Sequence, residues 1–112
     1  MNLKYGIAKS EPMLNTVKNP HNPNDYYING LLFHMTCVCS PEQYDVYDKN
    51  NNIVGYIRLR WGRLTCDYPN AQGEEIYNTY IGDEWTGMFE DGAERNEQLS
   101  IIANKILEKI NN

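Results

Sequence analysis

The sequence predicts an α+β fold: an antiparallel meander sheet of about five strands with one C-terminal helix packed on one face. Three observations support this prediction. Apolar residues recur at every second position in several short segments, which is typical of strands. The turns between these segments are short, and such turns favour antiparallel pairing because parallel strands need longer crossovers. The C-terminal residues instead have apolar side chains at helical spacing.

A chain of 112 residues has the size of one domain, which we expect to span residues 1–112. Its N-terminal segment, 1–29, is weakly patterned. The stretch Asn19–Asp25 is too rich in turn-forming residues for a helix or a central strand. A short strand over Leu3–Ala8 is the one element that we expect there. The meander is predicted over 30–81 and the helix over 91–110.

Each of the five predicted strands is bounded by turn-forming residues. The first alternates between two faces, with His34 on the face opposite to that of its neighbour Phe33, and ends at Ser40-Pro41. The five strands are Leu31–Cys39, Tyr44–Asp48, Ile53–Arg60, Arg63–Tyr68 and Glu75–Ile81. The connections between them are rich in Asn, Pro and Gly, as hairpin loops usually are.

The predicted helix has both a start signal and an apolar stripe. Asp91 and Glu94 fit a capping pattern in which Asp91 accepts hydrogen bonds from the first turn and Glu94 reaches back. The stripe consists of Leu99, Ile102, Ala103, Ile106 and Ile110. Such a stripe needs an apolar partner, and the sheet is the only candidate, which predicts a two-layer domain.

The segment Ile53–Tyr68 predicts a β-hairpin whose two-residue turn is Trp61-Gly62. With this turn, the apolar residues of both strands share one face, which we assign to the core. These residues are Ile57, Leu59, Leu64 and Cys66. On the other face Arg60 lies directly opposite Arg63, and two opposed like charges are unfavourable by roughly several tenths of a kcal/mol. Some negative charge should offset them.

This other face, the open face of the sheet, is the candidate ligand-binding site. Its predicted residues are Tyr56, Arg58, Arg60, Trp61, Arg63 and His34. Arginine binds phosphates and carboxylates in bidentate geometry and stacks on aromatic rings. The compensating charge is either a carboxylate of this chain, such as Asp67 or Glu75, or an anion from outside. Arginines on a solvated sheet face are also ordinary, so a purely structural role is the alternative.

Composition narrows the functional class. A net charge of -5 argues against direct nucleic-acid binding, which normally needs a basic surface. We expect no membrane contact, because the longest apolar run is too short to span a bilayer. The N-terminus lacks the apolar stretch of a secretory signal, and three cysteines cannot form a complete set of disulfides. We therefore expect a cytoplasmic protein.

The cysteine and histidine residues give little support for a metal site or for catalysis. Cys37 and Cys39 are expected to share the buried strand face with Phe33, and His34 points the other way, which is poor geometry for zinc. No metal or other cofactor is expected. The sequence contains none of the common phosphate-binding-loop, dinucleotide-binding, metalloprotease or hydrolase motifs. In the loop before the helix, we expect Trp85 and Phe89 to close the core.

We therefore expect a non-enzymatic binding protein that captures an anionic ligand, phosphate-bearing or nucleotide-like, on the arginine and aromatic face. The alternative is a protein-interaction or inhibitor module, of the accessory type that mobile elements encode. Such a module would bind a protein partner through the same face or through the Trp85 loop. A small Cys/His enzyme is a third, less favoured class. An exposed, tyrosine-rich sheet face or edge also allows a two-fold homodimer.

Overall fold

The structure is a computed structural model that describes residues 16–18, 22–37 and 40–112. These residues form one antiparallel sheet and one helix. The elements are β1 (Thr16–Lys18), β2 (Asp25–Ile28), β3 (Leu31–Cys37), β4 (Glu42–Tyr47), β5 (Ile53–Arg60), β6 (Arg63–Tyr68), β7 (Glu74–Tyr80) and α1 (Gly92–Ile110). The strands lie side by side in chain order, from β1 to β7. The predicted α+β class and antiparallel meander are confirmed.

The sheet starts earlier in the chain than predicted, so the described part has seven strands where about five were expected. Both additional strands, β1 and β2, come from the weakly patterned N-terminal segment. They are 3 and 4 residues long, too short for a two-residue period to repeat. The β2–β3 turn is Asn29-Gly30, with φ of 52° and 84°. This residue pair is a strong hairpin signal that periodicity alone does not use. The predicted strand Leu3–Ala8 lies outside the described residues.

Helix α1 covers one face of the sheet. The carboxylate of Asp91 accepts the backbone N–H of Glu94 at 2.8 Å, which confirms the predicted N-cap. Glu94 in turn accepts the backbone N–H of Glu90 at 2.8 Å. The buried residues of the helix are Leu99, Ser100, Ile102, Ala103 and Ile106. Ile110 was predicted to belong to this stripe, but it is exposed because it is the last residue of the helix.

The core lies between α1 and the sheet. The four hairpin residues predicted to be buried, Ile57, Leu59, Leu64 and Cys66, all have no exposed surface. Burial raises the pKa of the Cys66 thiol to about 12. The helix approaches β5 closely at Gly55, where an added Cβ would lie 2.8 Å from Cδ1 of Ile106. A glycine inside this strand therefore makes room for the helix.

A buried ion pair joins the sheet to the start of the helix. The side chain of Glu42, at the start of β4, is 1% exposed. Its carboxylate accepts hydrogen bonds from Arg95 Nε at 2.7 Å, from the Tyr44 hydroxyl and from the backbone N–H of Phe89 at 3.3 Å. Burial and the neighbouring Glu42 carboxylate raise the pKa of Tyr44. These contacts fix the first turn of α1 on the sheet.

None of the described residues belongs to a helix with the length and apolar character needed to cross a membrane.

Candidate anion-binding site

The β5–β6 hairpin has the predicted register. Arg60 pairs with Arg63, Arg58 with Thr65, and Leu59 with Leu64. The turn residues Trp61 and Gly62 have φ of 55° and 71°, as a two-residue hairpin turn with positive φ at both positions requires. The hairpin therefore holds its three arginines side by side on the face that α1 does not cover.

These arginines surround an open cavity of about 360 Å³, the arginine pocket. Its lining residues are Arg58, Arg60, Trp61, Arg63, Thr65, Asp67 and Glu75. This volume lies near the lower end of the usual range for small-molecule sites, roughly 300–1,000 Å³. Four of the six predicted site residues thus lie around one cavity. They are Arg58, Arg60, Trp61 and Arg63.

The arginines of the pocket make few contacts of their own. The guanidinium of Arg60 lies 5.6 Å from the ring centroid of Trp61, and Arg63 Nε donates to Asn78 Oδ1 at 3.3 Å. Among residues 16–18, 22–37 and 40–112, no carboxylate lies within 4.0 Å of a guanidinium nitrogen of Arg58, Arg60 or Arg63. The opposed charges of Arg60 and Arg63 are therefore not neutralised by an ion pair with a described residue.

Two carboxylates, Asp67 and Glu75, line the same pocket without neutralising it. Burial and the nearby Glu75 raise the pKa of Asp67, and Arg58 only partly opposes this. Glu75 accepts a hydrogen bond from Asn78 Nδ2 at 2.9 Å, so it reaches Arg63 only through that amide. Three positive and two negative side chains leave the pocket with a formal charge of +1, in a chain whose net charge is -5.

Tyr56 and His34 lie on the predicted face but do not line the pocket. The Tyr56 hydroxyl donates to Gln43 Oε1 at 2.6 Å. His34 lies on β3, two strands from β5, a distance of about 10 Å at the usual strand spacing. Its Nδ1 lies 2.6 Å from Oδ1 of Asp25. The structure thus gives both side chains partners outside the arginine pocket.

The loop before α1 contains a second feature, which the sequence analysis placed incorrectly. Phe89 is buried as predicted, but Trp85 is 72% exposed and does not close the core. Its ring lies 6.0 Å from that of Trp61, with an edge-to-face angle of 72°. The Trp85 turn is attached to the hairpin turn, because the backbone N–H of Gly62 donates to the carbonyl of Thr86 at 2.8 Å.

A second open cavity of about 360 Å³, the tryptophan cleft, lies beside this pair of rings. Its lining residues are Ser40, Pro41, Arg60, Trp61, Trp85 and Gly87. Arg60 and Trp61 line both the cleft and the arginine pocket. The sequence pattern does not indicate the cleft, because a hydrogen bond between turns that are distant in the chain leaves no periodic signal. Two turn-forming residues, Asp83 and Gly87, flank Trp85 in the sequence. They are the signal that could have indicated an ordered loop.

In the part of the chain that the structure describes, no group of three or more His, Cys, Asp or Glu side chains is arranged to hold a metal ion. Cys39, which the sequence analysis weighed as a metal ligand, lies outside the described residues. No protein-family model matches the chain, and searches of curated proteins and of solved structures find no match.

Proposed function

We propose that the protein is a non-enzymatic binding protein that captures an anionic, phosphate-bearing ligand in the arginine pocket. One observation carries this proposal. Three of the chain's four arginines surround one cavity, and none of them forms an ion pair with a described carboxylate. The fourth, Arg95, has the buried carboxylate of Glu42 as its partner at 2.7 Å. Arg95 thus has a carboxylate partner, whereas the three arginines of the pocket have none among the described residues. A negative charge would therefore be favourable in the pocket.

The chemistry of arginine supports phosphate or a similar oxyanion as the group bound. A guanidinium donates two parallel hydrogen bonds to such a group, and charge-assisted bonds of this type contribute about 1.5–3 kcal/mol each. A bound dianion would also remove the repulsion between Arg60 and Arg63, which face each other across the hairpin. In this proposal the protein is cytoplasmic, and nucleic-acid duplexes are not its ligands because its net charge is -5.

A protein-interaction or inhibitor module is the second candidate, and the exposed aromatic residues favour it. Trp61 and Trp85 lie next to the arginines, and Tyr80, opposite Arg63 in the sheet, is 78% exposed. Tryptophan, tyrosine and arginine are the residue types most enriched at the energetic centres of protein interfaces. An acidic side chain of a partner would then occupy the arginine pocket.

The double substitution Arg58→Glu and Arg60→Glu tests the proposal. We expect phosphate-bearing compounds to raise the melting temperature of the natural protein, because a ligand that binds only the folded state stabilises it by mass action. The double variant should fold normally and lose this response, since both side chains are exposed. A thermal-shift panel of inorganic phosphate, sulfate and phosphate esters measures the effect, with circular dichroism as the check on folding.

The matched control is Lys49→Glu with Lys105→Glu, which makes the same change in net charge at two exposed positions outside the pocket. It should keep the response to anions. Unaltered anion binding by a folded Arg58→Glu, Arg60→Glu protein would contradict the proposal. No response of the natural protein to any anion, together with a stoichiometric protein complex that the same double variant fails to form, would favour the interaction module.

A further inference from the structure

Both tryptophans of the chain are exposed at the same place, although a small domain gains stability by burying such rings. Trp61 is 58% exposed and has φ of 55°, a backbone conformation that is unfavourable for bulky residues. Asn, Asp or Gly is the usual choice in a turn of this type. Neither the turn nor the core requires a tryptophan at this position. A tryptophan in an unfavourable backbone conformation at the surface is a candidate for a functional role.

Hydrogen bonds hold in place the two turns that carry the tryptophan rings. Asp83 Oδ1 accepts the backbone N–H of Trp85 at 2.9 Å and the hydroxyl of Thr86 at 3.2 Å. The Gly62 N–H donates to the Thr86 carbonyl at 2.8 Å, and the Gly62 carbonyl accepts the N–H of Ile81 at 2.8 Å. The Gly62–Thr86 bond joins the Trp85 turn to the hairpin turn, and the Asp83 bonds hold the Trp85 turn itself in shape. The two turns thus bring the rings into edge-to-face contact at 6.0 Å without a ligand, and such preorganisation lowers the entropic cost of binding.

The tryptophan cleft and the arginine pocket are two parts of one surface, because Arg60 and Trp61 line both. The cleft adds Ser40, Pro41, Trp85 and Gly87, and the surface that it offers is mainly apolar. The pocket adds Arg58, Arg63 and two carboxylates. A ligand that fills both parts would carry an anionic group at one end and a planar apolar group at the other.

We infer that the tryptophan cleft binds the base of a mononucleotide whose phosphate lies in the arginine pocket. This inference rests on the proposed function, which it extends by naming the class of ligand. Any nucleobase can stack on an aromatic side chain, because every base has a π-face. The guanidinium of Arg60, 5.6 Å from the Trp61 ring, lies at the junction where it can contact either the base or the phosphate.

Three compounds test the inference: adenosine 5′-monophosphate, ribose 5-phosphate and adenosine. We expect the nucleotide to bind roughly tenfold or more tightly than ribose 5-phosphate, since only the nucleotide can stack. Titration calorimetry measures this ratio. Tryptophan fluorescence is a second readout, because the chain has 2 tryptophans and both line the cleft. The nucleotide should change this fluorescence more than ribose 5-phosphate does.

The variant Trp85→Ala should bind ribose 5-phosphate as the natural protein does and lose the preference for the nucleotide. Its side chain is 72% exposed, so folding is not at risk, and the melting temperature checks this. Tyr27→Ala, which removes another exposed ring from β2, is the matched control and should keep the preference. Equal affinities for the nucleotide and ribose 5-phosphate would overturn the inference and leave the proposed function standing.

The third compound separates the two proposals. Binding of adenosine as tight as that of the nucleotide, lost in Trp85→Ala but unchanged in Arg58→Glu, Arg60→Glu, would overturn the proposed function and the placement of the phosphate. No binding by any of the three compounds would overturn the inference. In that case the thermal shift with inorganic phosphate and sulfate alone decides whether the proposed function stands.

Discussion

At the scale of single residues, Glu42 shows how this fold accommodates a buried charge. Its carboxylate has four donors: two nitrogens of Arg95, the Tyr44 hydroxyl and the backbone N–H of Phe89. An unpaired carboxylate in the core would be very unfavourable, so the pairing must be complete. Glu42 is in phase with Tyr44 and Val46 along β4, all buried. The alternation along β4 therefore indicated that Glu42 is buried. The prediction missed this because the predicted strand began too late, at Tyr44.

We expect Arg95→Met to lower the free energy of unfolding by about 3–5 kcal/mol, because it leaves the carboxylate of Glu42 buried without its cation. Urea denaturation measures the change. Lys105→Met removes the same charge from an exposed position of α1 and should alter stability by no more than about 0.5 kcal/mol. A loss in Arg95→Met as small as that of the control would show that the pair does not compensate Glu42.

Asp67 gives the arginine pocket a predictable response to pH. Its folded pKa lies above the ordinary 3.8 because of burial and Glu75. The contribution of Asp67 to stability is therefore most favourable in acid and is lost as pH rises from 3.8 through the folded pKa. As pH falls over the same range, Asp67 becomes protonated and the pocket loses one negative charge.

Affinity for sulfate, whose charge is constant over this range, should therefore rise as pH falls through the pKa of Asp67. Asp67→Asn should bind sulfate more tightly at neutral pH, with a flatter dependence on pH. Titration calorimetry of both proteins over a series of pH values measures the difference. Identical pH profiles for the two proteins would show that Asp67 does not affect the anion.

At the scale of elements, the β5–β6 hairpin was predictable in full. The turn Trp61-Gly62 fixes the register, and alternation over both strands requires the same register to bury Ile57, Leu59, Leu64 and Cys66. A shift by one residue would turn every side chain to the other face. Two independent signals therefore agreed on one structure. The sequence also predicted the N-cap at Asp91, since capping depends on residues next to each other in the chain.

The attachment of the Trp85 turn was not predictable in this way. It depends on one hydrogen bond between Gly62 and Thr86, residues that are distant in the chain and belong to two irregular turns. The general preference of tryptophan for the interior predicted burial of Trp85, and local geometry overruled it. The same limit applies to the arginine pocket: the sequence predicted its arginines and named Glu75 as a possible partner, but the pairing of Glu75 with Asp67 depends on a register shift between β6 and β7.

Gly62 is the residue on which this attachment depends most. An added Cβ would lie 2.2 Å from the carbonyl oxygen of Asp83, a backbone atom that cannot move aside. We expect Gly62→Ala to lower the free energy of unfolding by about 1–3 kcal/mol and to weaken nucleotide binding, because the two turns must separate. Urea denaturation and calorimetry measure the two effects.

Gly30→Ala is the control for backbone strain alone. Gly30 also has positive φ, 84°, but an added Cβ would meet no atom within 4 Å. It should show only the smaller cost of the unfavourable conformation and leave nucleotide affinity unchanged. Equal losses of stability in the two variants, with unchanged affinity in both, would contradict the role assigned to the Gly62 contact.

At the scale of the whole molecule, each strand lies next to its neighbours in the chain, and the helix packs on one face of the sheet. This arrangement explains why the architecture was predictable: the pairings follow from local turns, and the helix had a single apolar surface to cover. The charge distribution was predictable only in part. The net charge of -5 follows from composition, whereas the local excess of positive charge in the arginine pocket depends on which side chains the fold brings together.

The attachment of the Trp85 turn to the hairpin has a consequence for how this surface can evolve. The bond that joins the two turns is made by the backbone atoms of Gly62 and Thr86, and the side chains of Asp83 and Thr86 hold the Trp85 turn itself in shape. The exposed side chains at Arg60, Trp61 and Trp85 take no part in them. The side chains that the proposed function assigns to recognition therefore differ from the groups that hold the turns together. If these residues bind the proposed ligand, substitutions at them would change which molecule is bound while the turns that present them stay in place.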